Sequence, residues 1–174
     1  MKVEIRKTTS QDSEDLIKLN NLVWRDAYSL IFSEQVFVER ENNNLARIEF
    51  KKNFKFNQNG SVNLVAVVNG EIVAYLDGQI ESQYEYFKNL GYADLCAIYI
   101  NPKFQRAGIG TMLFNKFVAE IKRLGATKFV IGVLKDNLKA RKVYEKWGGK
   151  LNNHTQPLTK LNKDYEEVFY TFKI

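Results

Sequence analysis

The sequence predicts a mixed α/β fold in which helices cover both faces of one sheet. Two observations carry that expectation. Apolar residues run continuously or alternate at Val62 to Val68, Glu71 to Ile80, Ala93 to Ile100, Phe129 to Leu134 and Tyr165 to Lys173, the patterns of buried and half-buried strands. Between these runs stand stretches whose apolar residues fall three and four apart, as they do on one face of a helix. The order is strand, two helices, three strands, helix, strand, helix and terminal strands, which is the order of a layered α/β domain.

Taken in turn, Val3 and Ile5 alternate with charges as a short first strand. Ser10 is placed to cap a helix carrying Leu16, Leu19, Val23 and Ala27. A second helix starts at Ser33, where Phe32 and Phe37 occupy the two positions of a hydrophobic staple. Leu45 and Ile48 continue its pattern towards Phe54, across an interruption at Asn42 to Asn44. Phe56 to Ser61 is polar and contains Gly60, so it reads as a loop. Asn69-Gly70 joins the next two strands, and this pair favours a two-residue hairpin turn. After Asn101-Pro102 a helix is expected from Thr111 to Leu124 with the stripe Leu113, Phe117, Ile121 and Leu124, capped by Gly125. A last helix runs from Asn137 to Trp147 and stops at Gly148-Gly149, and Val168, Tyr170 and Phe172 alternate in the closing strand.

With 174 residues the chain is expected to form one domain, residues 1–174, with a sizeable core. Its 26 Lys and Arg against 20 Asp and Glu leave a net charge of +6, which points to an anionic partner. The positive charge is scattered, without the long run of a nucleic-acid tail, so a phosphate-bearing cofactor is favoured and no nucleic acid is expected. A single cysteine, Cys96, allows no internal disulfide and is expected in the core, and a single histidine rules out a His-rich metal site. The first nine residues hold no apolar run of signal-peptide length, and no segment approaches the roughly 20 apolar residues of a membrane helix. A cytoplasmic protein without metal or membrane partner is therefore expected.

The chemistry concentrates in Gln105-Arg106-Ala107-Gly108-Ile109-Gly110, just after a strand and at the opening of a helix. Two glycines one residue apart let the backbone approach a ligand, and the unpaired N–H groups of a first helical turn attract anions. Arg106 and Lys103 add positive charge for phosphates. Such a turn also occurs with no ligand at all. A P-loop would need Lys after the last glycine, where Thr111 stands, and a dinucleotide fingerprint would need a small residue where Leu113 stands. Asn137 and Tyr144 lie two helical turns apart, about 10.5 Å along the axis on one face. Each also has an ordinary reading, Asn137 as a helix cap and Tyr144 as a core residue.

Together the strand Leu95 to Ile100, Pro102, the run Gln105 to Gly110, the strand Phe129 to Leu134, and Asn137, Ala140, Tyr144 and Gly148 resemble the GNAT superfamily of N-acetyltransferases, with its Gln/Arg-x-x-Gly-x-Gly/Ala signature. The likeness is dense over residues 92 to 149. It implies a mostly antiparallel sheet of about seven strands with a central splayed parallel pair. It implies acetyl-CoA as acetyl donor and an amine of a small molecule or peptide as acceptor, without a covalent enzyme intermediate. The backbone of Ile98, Tyr99 and Ile100 would bond the pantetheine arm. Gln105, Arg106, Ala107, Gly108, Ile109, Gly110 and Thr111 would hold the pyrophosphate, and Asn137 would touch the arm. Tyr144 matches the general acid that protonates the departing thiolate.

A thiol near pKa 8.5 and a phenol near 10 leave that proton transfer uphill by about 2 kcal/mol unless the tyrosine is made more acidic. Lys139, Arg141 and Lys142 are the neighbouring cations that could do so. An alkyl amine costs roughly 4.6 kcal/mol to deprotonate at pH 7, so a base is needed. Asp94 falls where histone-acetylating members carry a glutamate, and a solvent-facing aspartate at a strand start is the other reading. Asp77 and Glu81 are rival carboxylates, Glu81 being also a candidate acceptor contact. Trp24 and Tyr28, one helical turn apart, resemble the aromatic pair where acceptors enter, and core packing is their other reading. The acceptor's identity and the oligomeric state, a homodimer included, are left open.

Overall fold

The computed structural model describes residues 1–161 and 163–174. β1 (Glu4–Lys7) is followed by α1 (Ser13–Tyr28), α2 (Glu34–Asn42) and α3 (Asn44–Asn53). Next come β2 (Ser61–Val68), β3 (Glu71–Gln79), a short α4 (Glu85–Asn89) and β4 (Ala93–Ile100). The chain continues through α5 (Ile109–Arg123), β5 (Lys128–Leu134), α6 (Leu138–Lys146), β6 (Lys150–Lys160) and β7 (Lys163–Lys173). These seven strands form one sheet in the order β1-β2-β3-β4-β5-β7-β6, antiparallel at every neighbouring pair except β4 and β5. Among the described residues no helix is long and apolar enough to cross a membrane.

One face of the sheet packs on α5 and α6. There Leu113, Phe117 and Ile121 of α5 are wholly buried against Leu64, Leu76, Leu95 and Phe129, each side chain contributing about 1.5–3 kcal/mol. That burial anchors α5, and with it the helix start that follows β4. The other face carries α1, whose Leu16, Leu19 and Val23 pack on Val65 and Tyr75. It also carries α2, with Phe37 against Leu134, and α4, with Phe87 against Val130 and Phe169. Phe32 and Phe37 share one cluster, as a staple around Ser33 requires. The β2–β3 turn places Asn69 and Gly70 at φ 50° and 81°, the left-handed pair that a type I′ turn needs.

Several boundaries differ from the expected ones. Ser10 does not cap α1: a 3₁₀ turn covers Ser10–Asp12, and α1 starts at Ser13. Asp12 organises that turn, accepting from the Thr9 backbone at 2.8 Å and from Arg6 Nη1 and Nη2 at 2.8 and 2.7 Å. At Asn43 the backbone leaves helical geometry, so two helices stand where one interrupted pattern was read. The helix read from Thr111 begins at Ile109, capped by Gly108. α4 and β6 have weak signals, the first because it is five residues long and the second because it is a polar edge strand that tolerates Pro157.

The middle of the sheet sets up the site. β4 and β5 are in register only at Ala93 with Phe129 and Asp94 with Val130, while β5 continues beside β7 to Leu134. Beyond Asp94 the parallel pair therefore opens into a wedge. On its other edge β4 stays with β3 through Ile100, interrupted by a one-residue bulge at Cys96. A bulged residue falls out of the strand's alternation, and so Cys96 is exposed and not in the core as expected.

Candidate active site

Among the described residues the β4 edge facing the wedge lacks a strand partner along Ile98, Tyr99 and Ile100. Ile98 and Ile100 pack towards α5, and Tyr99 points to the α1 face. From Ile100 the chain passes a 3₁₀ turn over Pro102–Phe104 and enters the glycine segment. Gln105 folds back, its side-chain amide donating to the Ile100 carbonyl and to Asp26 of α1, both at 3.3 Å. Arg106 and Gly108 both adopt the left-handed region, at φ 61° and 81°. At Gly108 a Cβ would meet nothing within 4 Å, so glycine is required there by backbone conformation.

The first backbone bond of α5 runs from Met112 N–H to the Gly108 carbonyl at 3.0 Å. The amides of Ile109, Gly110 and Thr111 are thus without a partner among the described residues, at the positive end of a 15-residue helix. Ile109 is buried and pins the turn, whereas Gln105, Arg106, Ala107, Gly108 and Thr111 are open to solvent. The segment is a ready anion cradle beside the wedge.

On the α1 face the first buried charge is Asp94, 0% exposed where a solvent-facing residue was one expectation. Its Oδ2 accepts from Ser82 Oγ and Gln83 N–H, each at 3.2 Å, and its Oδ1 has no partner among the described residues. Burial raises its pKa to about 6, against the opposing pull of those two donors and with help from the charge of Glu167. Glu167 on β7 is itself buried and accepts from Tyr84 Oη at 2.8 Å and Gln156 Nε2 at 2.9 Å. Sequence reading missed Glu167, Tyr84 and Ser82. No local signal marks them: Glu167 follows Glu166 in the polar first half of the last strand, where an acidic residue reads as solvated.

Asp77, one of the rival carboxylates, lies on the same face and is held by Lys51 at 3.2 Å and Asn63 at 2.8 Å. Glu81 is exposed and bound to Lys88 at 3.2 Å, so the structure does not bring it to the others. Trp24 and Tyr28 pack edge to face, with centroids 5.0 Å apart. The Tyr28 hydroxyl meets that of Tyr99 at 3.0 Å, which ties α1 directly to β4.

Tyr144 is buried among Trp147 and Tyr170, and its hydroxyl has no hydrogen-bond partner among the described residues. Burial, then the nearby Tyr28, pushes its pKa up, opposite to the lowering a strong acid would need. The cations read as helpers do not supply it. Arg141 is engaged with Tyr170 Oη at 3.1 Å and the Lys135 carbonyl at 2.8 Å. Asn137 caps α6, its side-chain oxygen accepting from Ala140 N–H at 3.2 Å. The same side chain lies close enough to Tyr28 to favour the ionised phenol there, although burial wins and Tyr28 is raised.

The sequence profile of the acetyltransferase (GNAT) family matches residues 18–149. No curated protein matches the chain by sequence. Solved structures share its fold over nearly the whole length. The PaiA N-acetyltransferase of Thermoplasma acidophilum, in complex with coenzyme A, superposes with a TM-score of 0.72 at 20% identity, covering 100% of both chains. Ribosomal-protein-alanine N-acetyltransferase of Brucella melitensis gives 0.70 at 19% identity, covering 98% of this chain and 99% of that one. YncA of Salmonella typhimurium, with its cofactor acetyl-CoA, gives 0.65 at 16% identity, covering 99% and 94%.

Proposed function

Because the chain belongs to the acetyltransferase (GNAT) family, we propose that residues 1–174 act as one acetyl-CoA-dependent N-acetyltransferase domain that acylates a primary amine. One observation carries the reading: among the described residues, an unpaired strand edge in a wedge leads directly into a helix start with three free amides. A pantetheine arm can add to the β4 edge at Ile98 to Ile100 as a further strand does. The diphosphate would meet the amides of Ile109, Gly110 and Thr111, with Arg106 and Lys103 supplying charge. The thioester then supplies the acetyl group, and the free amine attacks its carbonyl.

The remaining steps are proton transfers by this chain's residues. Asp94, at about pKa 6, is mostly ionised at pH 7 and still basic enough to take the amine proton, directly or through a water. Tyr144 stays a neutral phenol, able to donate to the leaving thiolate but not to drive that step by acidity. Its contribution is then a positioned hydrogen bond in a dry setting. The test is thiol release from acetyl-CoA across a panel of amines, monitored with a chromogenic disulfide. Amine-dependent release is expected. Binding of CoA without release to any amine would favour a module that holds acyl-CoA and does not turn it over.

A further inference from the structure

The face of the sheet that carries Asp94 also holds a cavity of about 370 Å³ between α1, α3 and β3, lined among others by Asn20, Arg40, Arg47, Lys51, Tyr75 and Asp77. Three cations face one carboxylate there, and that carboxylate is already taken by Lys51 and Asn63. Among the described residues neither arginine has a carboxylate within ion-pair distance. Neutral amide oxygens hold them instead. Arg40 donates to Asn20 Oδ1 at 2.5 Å, and Arg47 donates to the same oxygen, to Asn21 Oδ1 at 2.7 Å and to Asn44 Oδ1 at 2.9 Å.

Arg40 lies 3.5 Å above the Trp24 ring, and its Nε–H is buried with no acceptor among the described residues. Burial, then the charge of Arg47, holds Arg40 down at about 10. Glu41, whose charge reaches Arg47, is itself bonded to Arg25 at 2.8 Å. Two adjacent half-buried guanidiniums without a counter-ion are an expensive arrangement unless an anion joins them, and the planar fork of arginine suits carboxylate and phosphate.

We propose that this cavity binds the acceptor, and that the acceptor carries, besides its amine, a carboxylate or phosphate held by Arg40 and Arg47. The inference rests on the acyl-transfer reading above. The cavity floor fits it: Tyr75 and Asp77 stand in register with Tyr99 and Ala97 of β4, on either side of which lie the Tyr28 contact and the Cys96 bulge. One strand spacing, about 4.8 Å, separates that floor from the strand beside the wedge. An acceptor anchored by its anion under α3 directs its amine end towards the bulge and Asp94.

The experiment compares ω-amino carboxylates and ω-aminoalkyl phosphates of increasing chain length with their neutral amides and alcohols, as acceptors and as ligands in calorimetry. At least one anionic series is expected to exceed its neutral counterparts by about tenfold or more in kcat/KM, the scale of one charge-assisted bidentate contact. Which of the two series does so identifies the anion. Arg47→Gln is expected to bring the anionic-to-neutral ratio towards one, and Arg47→Lys to retain part of it. Neutral and anionic amines used equally well, or a ratio unmoved in Arg47→Gln while the protein stays folded, would overturn the proposal and leave acyl transfer standing. If no amine releases thiol, calorimetry still decides, because anion binding lost in Arg47→Gln supports the pocket and its absence in the wild type removes it.

Discussion

Replacing Asp94 by Asn is expected to make the protein more stable above pH 7 and less active at the same time. The carboxylate is wholly buried, with a pKa of about 6 against 3.8 for an ordinary aspartate, because burial outweighs the donors Gln83 and Ser82. A carboxyl whose pKa is raised by folding weakens the fold when it ionises. Its contribution is intact below pH 3.8, is lost as pH rises through about 6, and above that the charge costs about 3 kcal/mol, the difference in pKa at 1.36 kcal/mol per pH unit. Asparagine never ionises and keeps an acceptor for Ser82 and Gln83. Its NH₂ group falls where Oδ1 has no partner, at a cost of about 1 kcal/mol.

The net expectation is a gain of about 2 kcal/mol at pH 8, or roughly 4–8 °C in Tm for a chain of this size, turning to a loss of about 1 kcal/mol at pH 4. Urea denaturation of both proteins at pH 4, 6 and 8 measures it. In the same variant, transfer to an alkyl amine should fall by about 10²-fold at pH 7 and by less at pH 9, where more acceptor is already free base. Wild-type kcat/KM should decline as pH drops through about 6, as the base protonates. A variant that is destabilised equally at pH 4 and pH 8 and retains full activity would refute both parts. Asp94 would then be an uncharged structural acceptor, and Asp77 the carboxylate to pursue.

Tyr144→Phe removes a hydroxyl that has no partner among the described residues, so Tm should change little, while kcat falls about 10²–10⁴-fold with KM for acetyl-CoA nearly constant; turnover within about threefold of wild type would make Tyr144 a packing residue. Gly108→Val forces a β-branched residue to φ 81°, so CoA affinity measured by calorimetry should fall at least about tenfold, from backbone strain and not from a clash; undiminished affinity would move the diphosphate site elsewhere. Cys96 is exposed at the bulge, yet desolvation and then the charges of Asp94 and Asp77 push its thiol up. Maleimide labelling at pH 7 should therefore run at least about tenfold slower than with free cysteine and be slowed further by acetyl-CoA. Labelling at the rate of free cysteine, or no protection, would place the thiol outside the site.

What the sequence determined by itself was local. The Asn69-Gly70 turn, the helical stripe Leu113, Phe117 and Ile121, and the glycine pair at the start of α5 depend on residues within a few positions of each other, and each stands where its pattern put it. The half of the site proposed to face the cofactor is built from such segments, consecutive along β4, the turn and α5, so its geometry follows a local motif. The half proposed to take the acceptor has no such motif, because its chemistry comes from contacts across the chain. Asp94 acquires its pKa from burial and from Glu167 on a distant strand, and Tyr84 meets Glu167 across 83 positions. No local pattern singles out Arg40 and Arg47, which meet at Asn20 only because α2 and α3 pack against α1, with Arg40 over Trp24. Cys96 reads as one more apolar position of a strand, and only the mismatch in register between β3 and β4 turns it outward. Desolvation and register are properties of packed elements, and no window of neighbouring residues contains them.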